Sequence, residues 1–193
     1  MTYDTQSWEQ LRLYTNRLCL RAPSLRDADA LYDLFGDPEV MHGLNKEPVS
    51  AFEEARAMTE EGLDGWRTEG LGPFILETVT SDPQVVGLAG LMIFDRRDWT
   101  PSTWANARRH AQPELGWALI RPHWGHGYAT EAAVAIRHWA HESRSIDQLV
   151  SLISSDNVRS QRVAERLGAV PTETYTPLET RRKTVVWRHP PAR

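Results

Sequence analysis

A glycine-rich turn between a strand-like and a helix-like segment carries the most chemical information in this sequence. Residues 119–133 read LIRPHWGHGYATEAA, with Pro122 after the apolar strand and a helical pattern after Gly125 and Gly127. Glycines here allow a sharp turn that exposes successive backbone N–H groups. The helix start adds unpaired donors and the positive end of the helix dipole. We therefore predict an anion site suited to a diphosphate. A turn that binds no ligand remains the alternative.

Two familiar phosphate motifs are missing from the sequence. Gly-Lys followed by Ser or Thr, which marks the P-loop of nucleoside triphosphatases, does not occur. Thr130 stands where the dinucleotide-binding motif has its third glycine, and no strand–helix unit opens the chain. Both nucleotide-binding folds are therefore disfavoured.

Two histidine pairs have spacings that a metal site could use. These are His123 with His126 in the glycine-rich turn and His138 with His141 in the following helix. No cysteine or acidic cluster accompanies either pair, and the His-Glu-x-x-His motif is absent. We therefore expect no metal.

Apolar periodicity predicts the order of the secondary-structure elements. The predicted strands cover residues 16–22, 72–80, 84–94, 112–120 and 148–154, with two more around Pro177. The predicted helices start at Ser24 (capping partner Asp27), at Ser50 (capping partner Glu53), after Gly127 and at Asn157. Residues 36–49 are expected to form a loop, and residues 95–111 a long surface excursion. Sequential antiparallel strands with one strand–helix–strand unit indicate an α+β fold with a mixed sheet.

Composition narrows the class of protein. A chain of 193 residues, 40% of them hydrophobic, fits one globular domain with a core of about residues 16–188. The net charge of −4 disfavours a general nucleic-acid binder and slightly favours a cationic acceptor. Cys19, as the single cysteine, excludes an internal disulfide. No membrane-length apolar run or signal peptide is evident, so we expect a cytoplasmic protein with no membrane partner.

Several segments together resemble a known family. RPHWGHGYATEA resembles the acetyl-CoA loop of the GNAT N-acetyltransferases, and the loop is flanked by PELGWALI and followed by SSDNVRSQRVAERLGA. These flanking segments and the opening NRLCLRAPSLRDADALYDLFGDPEV resemble the RimJ/RimL-type branch, which acetylates protein N-termini and small amines. The resemblance covers residues 16–187. It implies a mostly antiparallel sheet of about seven strands, in which two strands splay apart around the pantetheine arm of acetyl-CoA.

The resemblance also implies a set of contacts with acetyl-CoA. Pantetheine is expected to pair with the backbone of Trp117, Ala118, Leu119 and Ile120, and the pyrophosphate with the loop Trp124, Gly125, His126, Gly127, Tyr128 and Ala129. Thr130 would add its hydroxyl, Asn157 would contact the cofactor arm, and Arg162 would pair with phosphate. The alternatives are that Asn157 only caps its helix and that Arg162 is an ordinary solvent-exposed side chain.

The chain departs from the family pattern at three positions. Trp124 replaces the first Gln or Arg of the pyrophosphate loop, and His126 stands where many relatives have Arg or Lys. Ala164 occupies the position of the tyrosine that protonates the leaving thiolate in many members. Ser160 matches a RimL-type serine assigned that task, and an ordinary exposed helix serine is the alternative.

An acceptor amine must lose a proton before or during attack, which calls for a carboxylate. Glu114, on the strand that enters the site, is the first candidate base, and Glu179, in the C-terminal segment, is the second. Glu114 could instead be an edge-strand carboxylate paired with an arginine. We expect N–H groups near Ala118 to polarise the thioester carbonyl.

Direct transfer to an amine, with no acyl-enzyme, is the predicted reaction. Cys19 lies far along the chain from the loop and is expected to be a packing residue. By analogy with the fold, Tyr32, Trp66 and residues 95–111 are candidates for the acceptor groove. The acceptor is expected to be a small amine or a peptide N-terminus, and a homodimer is left open. The alternative function is a non-catalytic acyl-CoA sensor on the same fold.

Overall fold

A computed structural model of the chain describes residues 7–178 and 181–191. The helices are α1 (Ala28–Phe35), α2 (Pro38–Gly43), α3 (Phe52–Glu69), α4 (Trp104–Ala107), α5 (Tyr128–Arg144) and α6 (Val158–Arg166). The strands are β1 (Arg12–Tyr14), β2 (Leu18–Arg21), β3 (Pro73–Thr78), β4 (Val85–Asp95), β5 (Thr100–Pro101), β6 (Ala111–Leu119), β7 (Val150–Ser154), β8 (Val170–Tyr175) and β9 (Thr184–Arg188).

The strands form one mixed sheet with the order β1-β2-β3-β4-β6-β7-β9-β8, and β5 pairs with the end of β4. Only the β6–β7 pair is parallel among the described strands. The predicted α+β fold with a mostly antiparallel sheet is confirmed. The described part of the chain contributes nine strands rather than about seven, because β1 and β5 are too short, at three and two residues, for alternation to reveal them.

Two sequence predictions about helix starts were wrong. The predicted loop 36–49 contains α2, whose first turn is capped by the Asp37 side chain, which accepts from the N–H of Glu39 at 2.9 Å. Asp followed by Pro38 is here an N-cap and first-turn signal rather than a loop signal. At the start of α3, Glu54 rather than Glu53 accepts from the Ser50 N–H, at 2.7 Å.

The parallel pair β6–β7 is the point where the sheet opens. The two strands share a single register pair, Glu114 with Val150, whereas β6 pairs with β4 along its whole length. Beyond Glu114 the two strands diverge, so one edge of β6 loses its neighbour. This is the splay that the family resemblance implies.

An aromatic cluster fixes α3 and α5 against the same face of the sheet. Trp66 of α3 is 2% exposed, and its ring lies 4.8 Å from that of Phe74 and 5.8 Å from that of Trp139. The Trp66 indole N–H donates to the Pro73 carbonyl at 2.8 Å. The proposed place of Trp66 in an acceptor groove was therefore wrong, because the ring is buried in the core.

We predict that Trp66→Ala lowers the free energy of unfolding by about 3–5 kcal/mol, the usual cost of deleting a buried large aromatic side chain. Trp104→Ala is the matched control, because Trp104 is 40% exposed, and it should cost less than about 1 kcal/mol. Denaturant unfolding of both variants measures the difference. Equal losses would show that Trp66 does not carry this packing.

Candidate active site

The exposed edge of β6 directs backbone groups into the gap beside β7. The Leu115 carbonyl faces β7, where it accepts from the Ser151 hydroxyl at 2.5 Å. The Ala118 carbonyl faces β4, since a Cβ built on Gly87 would lie 2.3 Å from it. Strand alternation therefore points the N–H groups of Trp117 and Leu119 into the gap. The donors near Ala118 belong to these neighbours, not to Ala118 itself.

The turn after β6 ends in an uncapped helix. Gly125 and Gly127 have φ angles of 81° and 82°, in the left-handed region that favours glycine. Gly127 is the N-cap residue of α5, and no described side chain caps it. The first N–H groups of α5 therefore lack intrahelical partners. The Thr130 hydroxyl oxygen is buried and has no hydrogen-bond partner among the described residues. An anion acceptor would satisfy these donors.

Trp124 closes this turn onto the strand. Its indole N–H donates to the Leu119 carbonyl at 2.7 Å, and the Arg159 guanidinium lies 4.2 Å from its ring centre. Tryptophan at this position therefore holds the end of β6, a structural contact that the residue type alone did not reveal.

A salt bridge from the other end of the chain supports the loop. Arg17, between β1 and β2, pairs with Glu131 of α5 at 2.6 Å and donates to the His126 carbonyl at 2.9 Å. Burial raises the pKa of Glu131, but hydrogen bonds from Thr15 and Arg17 outweigh it and leave the pKa below its usual value. Sequence reasoning missed Arg17 and Glu131, because 114 residues separate them.

On the opposite side of the gap, the start of α6 contacts α2. Asn157 accepts from the Ser160 N–H at 3.1 Å, which confirms its N-cap role, and its amide nitrogen donates to the Gly43 carbonyl at 3.1 Å. Beside it, His42 and Asp156 approach to 3.1 Å, and Arg159 contacts Glu39. Because α2 was predicted to be a loop, none of its partners could be anticipated.

These elements enclose a cleft of about 1460 Å³. Twelve of the predicted site residues line it: Trp117, Ala118, Leu119, Trp124, Gly125, His126, Gly127, Ala129, Thr130, Asn157, Ser160 and Arg162. Arg166, which the sequence analysis did not select, lines it as well.

Three predicted residues lie outside the lining, and one cannot be placed. Ile120 gives its N–H to the Val86 carbonyl at 3.0 Å and packs against the α1–α2 side of the sheet. Tyr128 stacks on His126, with ring centres 5.8 Å apart. Glu114 lies beside the cleft rather than on its wall. Glu179 falls outside the described residues.

Glu114 is held at the splay point. Its carboxyl group lies over Gly116, where an added Cβ would come within 3.1 Å of Oε2, and Oε1 accepts from the Leu152 N–H at 3.4 Å. Burial raises the pKa of Glu114 to about 8, and the Leu152 N–H only partly opposes this. The alternative of an edge carboxylate paired with arginine was wrong, because no described arginine forms a salt bridge with Glu114.

Tyr175 of β8 interacts with the charge of Glu114. Burial, followed by the Glu114 charge, raises the pKa of Tyr175 to about 12. The Tyr175 and Trp99 rings stack with centres 5.9 Å apart. The 95–111 excursion and the hairpin of β8 and β9 therefore meet near Glu114.

Residues 7–178 and 181–191 show neither a metal cluster nor a membrane span. Within these ranges, no group of three or more His, Cys, Asp or Glu side chains is arranged to hold a metal ion. Within the same part of the chain, no helix has the length and apolar character needed to cross a membrane.

Known proteins resemble this chain in sequence and in fold. A protein-family model described as "Acetyltransferase (GNAT) domain" matches residues 17–170. An uncharacterized N-acetyltransferase p20 of Bacillus licheniformis is 28% identical over 156 residues, which is 81% of this chain and 80% of that protein. The crystal structure of an acetyltransferase from Agrobacterium tumefaciens is 28% identical, with a TM-score of 0.74 over 93% of this chain and 94% of that one.

A RimL ribosomal-protein α-N-acetyltransferase has a similar fold, with a TM-score of 0.73 over 93% of each chain. At 13% identity this likeness shows the fold alone. The splayed sheet, the uncapped glycine turn and the family match over residues 17–170 lead to one assignment. The chain belongs to the GNAT acetyltransferases and is an acetyl-CoA-dependent acyltransferase.

Proposed function

We propose that this enzyme transfers the acetyl group of acetyl-CoA to a primary amine, by direct attack in a ternary complex. The observation that carries the proposal is the opening between β6 and β7, which continues into the uncapped start of α5. This path joins strand-edge donors to an anion site. The extended amide arm and diphosphate of acetyl-CoA need the same order of groups.

The cleft residues fit acetyl-CoA. The first N–H groups of α5 and the unpartnered Thr130 hydroxyl would hold the diphosphate. The free edge of β6 at Trp117 and Leu119 would pair with the pantetheine amides as an added strand does. Arg162 and Arg166 line the cleft, and their positive charge favours phosphate. Asn157 would reach the cofactor arm by exchanging its contact with Gly43.

Glu114 is the proposed base, directly or through water. Acetyl-CoA supplies an activated thioester; the amine nitrogen forms a bond to its carbonyl carbon, and the carbon–sulfur bond breaks. Glu114 takes the amine proton, and its pKa of about 8 is close to that of an α-amino group, about 8, so the transfer is nearly balanced. The N–H groups of Trp117 and Leu119 would stabilise the developing oxyanion.

Ser160 or water would return a proton to the departing thiolate. The Ser160 side chain lines the cleft, while Ala164, at the family's tyrosine position, is fully buried in the core. The absence of that tyrosine is what favours the second candidate function, an acyl-CoA sensor that binds without turnover. Thiol release from acetyl-CoA across a broad amine panel distinguishes the two functions.

The acceptor is proposed to be a protein N-terminus or a small amine, as in the RimJ/RimL-type branch. The resemblance of the flanking segments to that branch supports this assignment. An α-amine also loses its proton more readily than a lysine side chain, because its pKa is about two units lower.

We predict that Gly127→Val weakens acetyl-CoA binding at least tenfold, because a branched side chain at a φ of 82° distorts the turn and blocks the approach of the diphosphate. Gly168→Val is the matched control: its φ is 74°, and it follows α6 outside the cleft. Calorimetry should show normal affinity in the control, with a similar fall in melting temperature for both. Normal binding in Gly127→Val would place the diphosphate elsewhere.

We predict that Glu114→Gln lowers the acetylation rate at least tenfold. With an acceptor whose own amine does not titrate near pH 8, it should also remove a rise in kcat/KM with an apparent pKa near 8, set by burial. Because the folded-state pKa exceeds the unfolded value of about 4.5, folding takes up a proton and wild-type stability falls as pH rises from about 4.5 to 8. The variant should lose this part of the pH dependence of stability. Unchanged kcat/KM at every pH would remove Glu114 as the base.

We predict that Cys19→Ala keeps most of the activity and that no acetyl adduct forms on the enzyme. Cys19 lies on β2, where it pairs with Tyr14 and Glu77, and it does not line the cleft. Mass spectrometry during turnover tests this. An adduct on Cys19 that forms and decays at the turnover rate would contradict direct transfer.

A further inference from the structure

A buried chain of hydrogen bonds crosses the sheet where it splays. The Ser151 hydroxyl donates to the Leu115 carbonyl at 2.5 Å, and His189 Nε2 lies 2.9 Å from the same hydroxyl oxygen. Ser151 is 1% exposed and His189 2% exposed. The hydroxyl hydrogen is used toward Leu115, so Nε2 must carry the hydrogen that points at Ser151. The chain therefore runs from His189 through Ser151 to the edge of β6.

This chain replaces a backbone bond that the splay removes. The parallel ladder between β6 and β7 has only the pair Glu114 with Val150, so the Leu115 carbonyl is satisfied by a side chain instead. An unsatisfied buried carbonyl would be costly. Ser151 thus ends the ladder and holds the two strands together at the last point before they diverge.

The next residue on β7 holds the proposed base. The Leu152 N–H donates to Glu114 Oε1 at 3.4 Å, and Leu115, which receives the Ser151 bond, directly follows Glu114. Ser151 and Leu152 of β7 therefore form hydrogen bonds with Leu115 and Glu114, two adjacent residues of β6. A change in the Ser151 bond would move the Leu152 N–H relative to the Glu114 carboxyl group.

We propose that Ser151 and His189 are positioning residues for the reaction, because their buried chain fixes the spacing of β6 and β7 at which the Leu152 N–H contacts Glu114. This inference rests on the proposed role of Glu114 as the base. Neither residue touches the cleft, and both act through Leu115 and Leu152.

The surroundings of the hydrogen-bonded pair Ser151 and His189 keep the His189 imidazole uncharged near neutral pH. Burial, followed by the charges of Arg137 and His141 of α5, lowers the pKa of His189 to about 4. Tyr175 of β8 interacts with the charge of Glu114, and the pKa of Tyr175 is raised to about 12. Neither His189 nor Tyr175 therefore contributes to a pH profile between 6 and 9.

The test measures kcat/KM as a function of pH for two pairs of variants. Ser151→Ala and His189→Leu break the hydrogen bonds. Ser151→Thr keeps a hydroxyl, and His189→Gln keeps a donor. Loss of the Leu152 contact removes an interaction that favours the ionised carboxylate. We expect the apparent pKa to rise by about half a unit or more in the breaking pair, with kcat falling several-fold, and to return toward the wild-type value in the conservative pair.

Leu20→Ala is the control for general destabilisation. Leu20 is fully buried on β2 and separated from β6 by two strands, so its loss should lower the melting temperature without moving the pH profile. If the breaking variants lower stability as Leu20→Ala does and leave the apparent pKa unchanged, the positioning role is refuted. If Ser151→Ala does not fold, Ser151→Cys carries the same expectation, since a thiol is a much weaker donor.

Carbon-13 NMR titration of the Glu114 carboxyl group separates the two proposals. An upward-shifted Glu114 pKa in Ser151→Ala supports positioning even if Glu114→Gln proves fully active, a result that would overturn only the assignment of the base. An unshifted carboxyl titration overturns the positioning role whatever Glu114 does in catalysis.

Discussion

The separation of β6 from β7 is the constraint on which the rest of the site depends. A parallel pair with one register contact is an unusual break in a sheet whose other principal neighbours pair over three or more residues. Beyond Glu114 it leaves the edge of β6 without a neighbouring strand among the described residues, and backbone N–H groups there would be costly to leave uncovered. Both the free N–H groups of Trp117 and Leu119 and the place of Glu114 follow from this one break.

Contacts on both sides of the break keep the two halves of the sheet in place. On one side, Arg17 and Glu131 brace the loop through a salt bridge that draws the start of the chain onto α5. On the other side, α2 is tied to the start of α6 through Asn157 and Asp156. At the rim, Arg159 pairs with Glu39 and His42 with Asp156. Besides Arg162 and Arg166, the donors that face the cleft are therefore largely backbone groups. A neutral strand edge and a helix start suit a long ligand that carries charge at one end.

The sequence was most informative where function depends on local backbone geometry. Gly125 and Gly127 adopt the left-handed conformation that their residue type favours, and the turn and the helix start followed from that segment. The individual lining residues came from the family resemblance. The same local pattern predicted the N-cap role of Asn157, which its hydrogen bond to the Ser160 N–H confirms. The family match over residues 17–170 agrees with this reading.

Features that depend on distant contacts were not predictable from the sequence. Arg17 and Glu131 are 114 residues apart, and Ser151 meets His189 across 38 residues, so no periodic pattern joins them. Alternation along β6 placed Glu114 with Gly116 and Ala118, but only the packing of α1 and α2 shows which face this is. The helix α2 was missed because Asp37 and Pro38 signal both a turn and a helix start, and tertiary packing decides between them.

Amide hydrogen exchange with and without acetyl-CoA measures which backbone N–H groups meet the ligand. We expect acetyl-CoA to slow exchange at Trp117, Leu119 and the first turn of α5, and to leave Ala118, whose N–H is directed to β4, nearly unchanged. Protection confined to another part of the chain, with no change along the β6 edge or at the start of α5, would contradict this placement of acetyl-CoA.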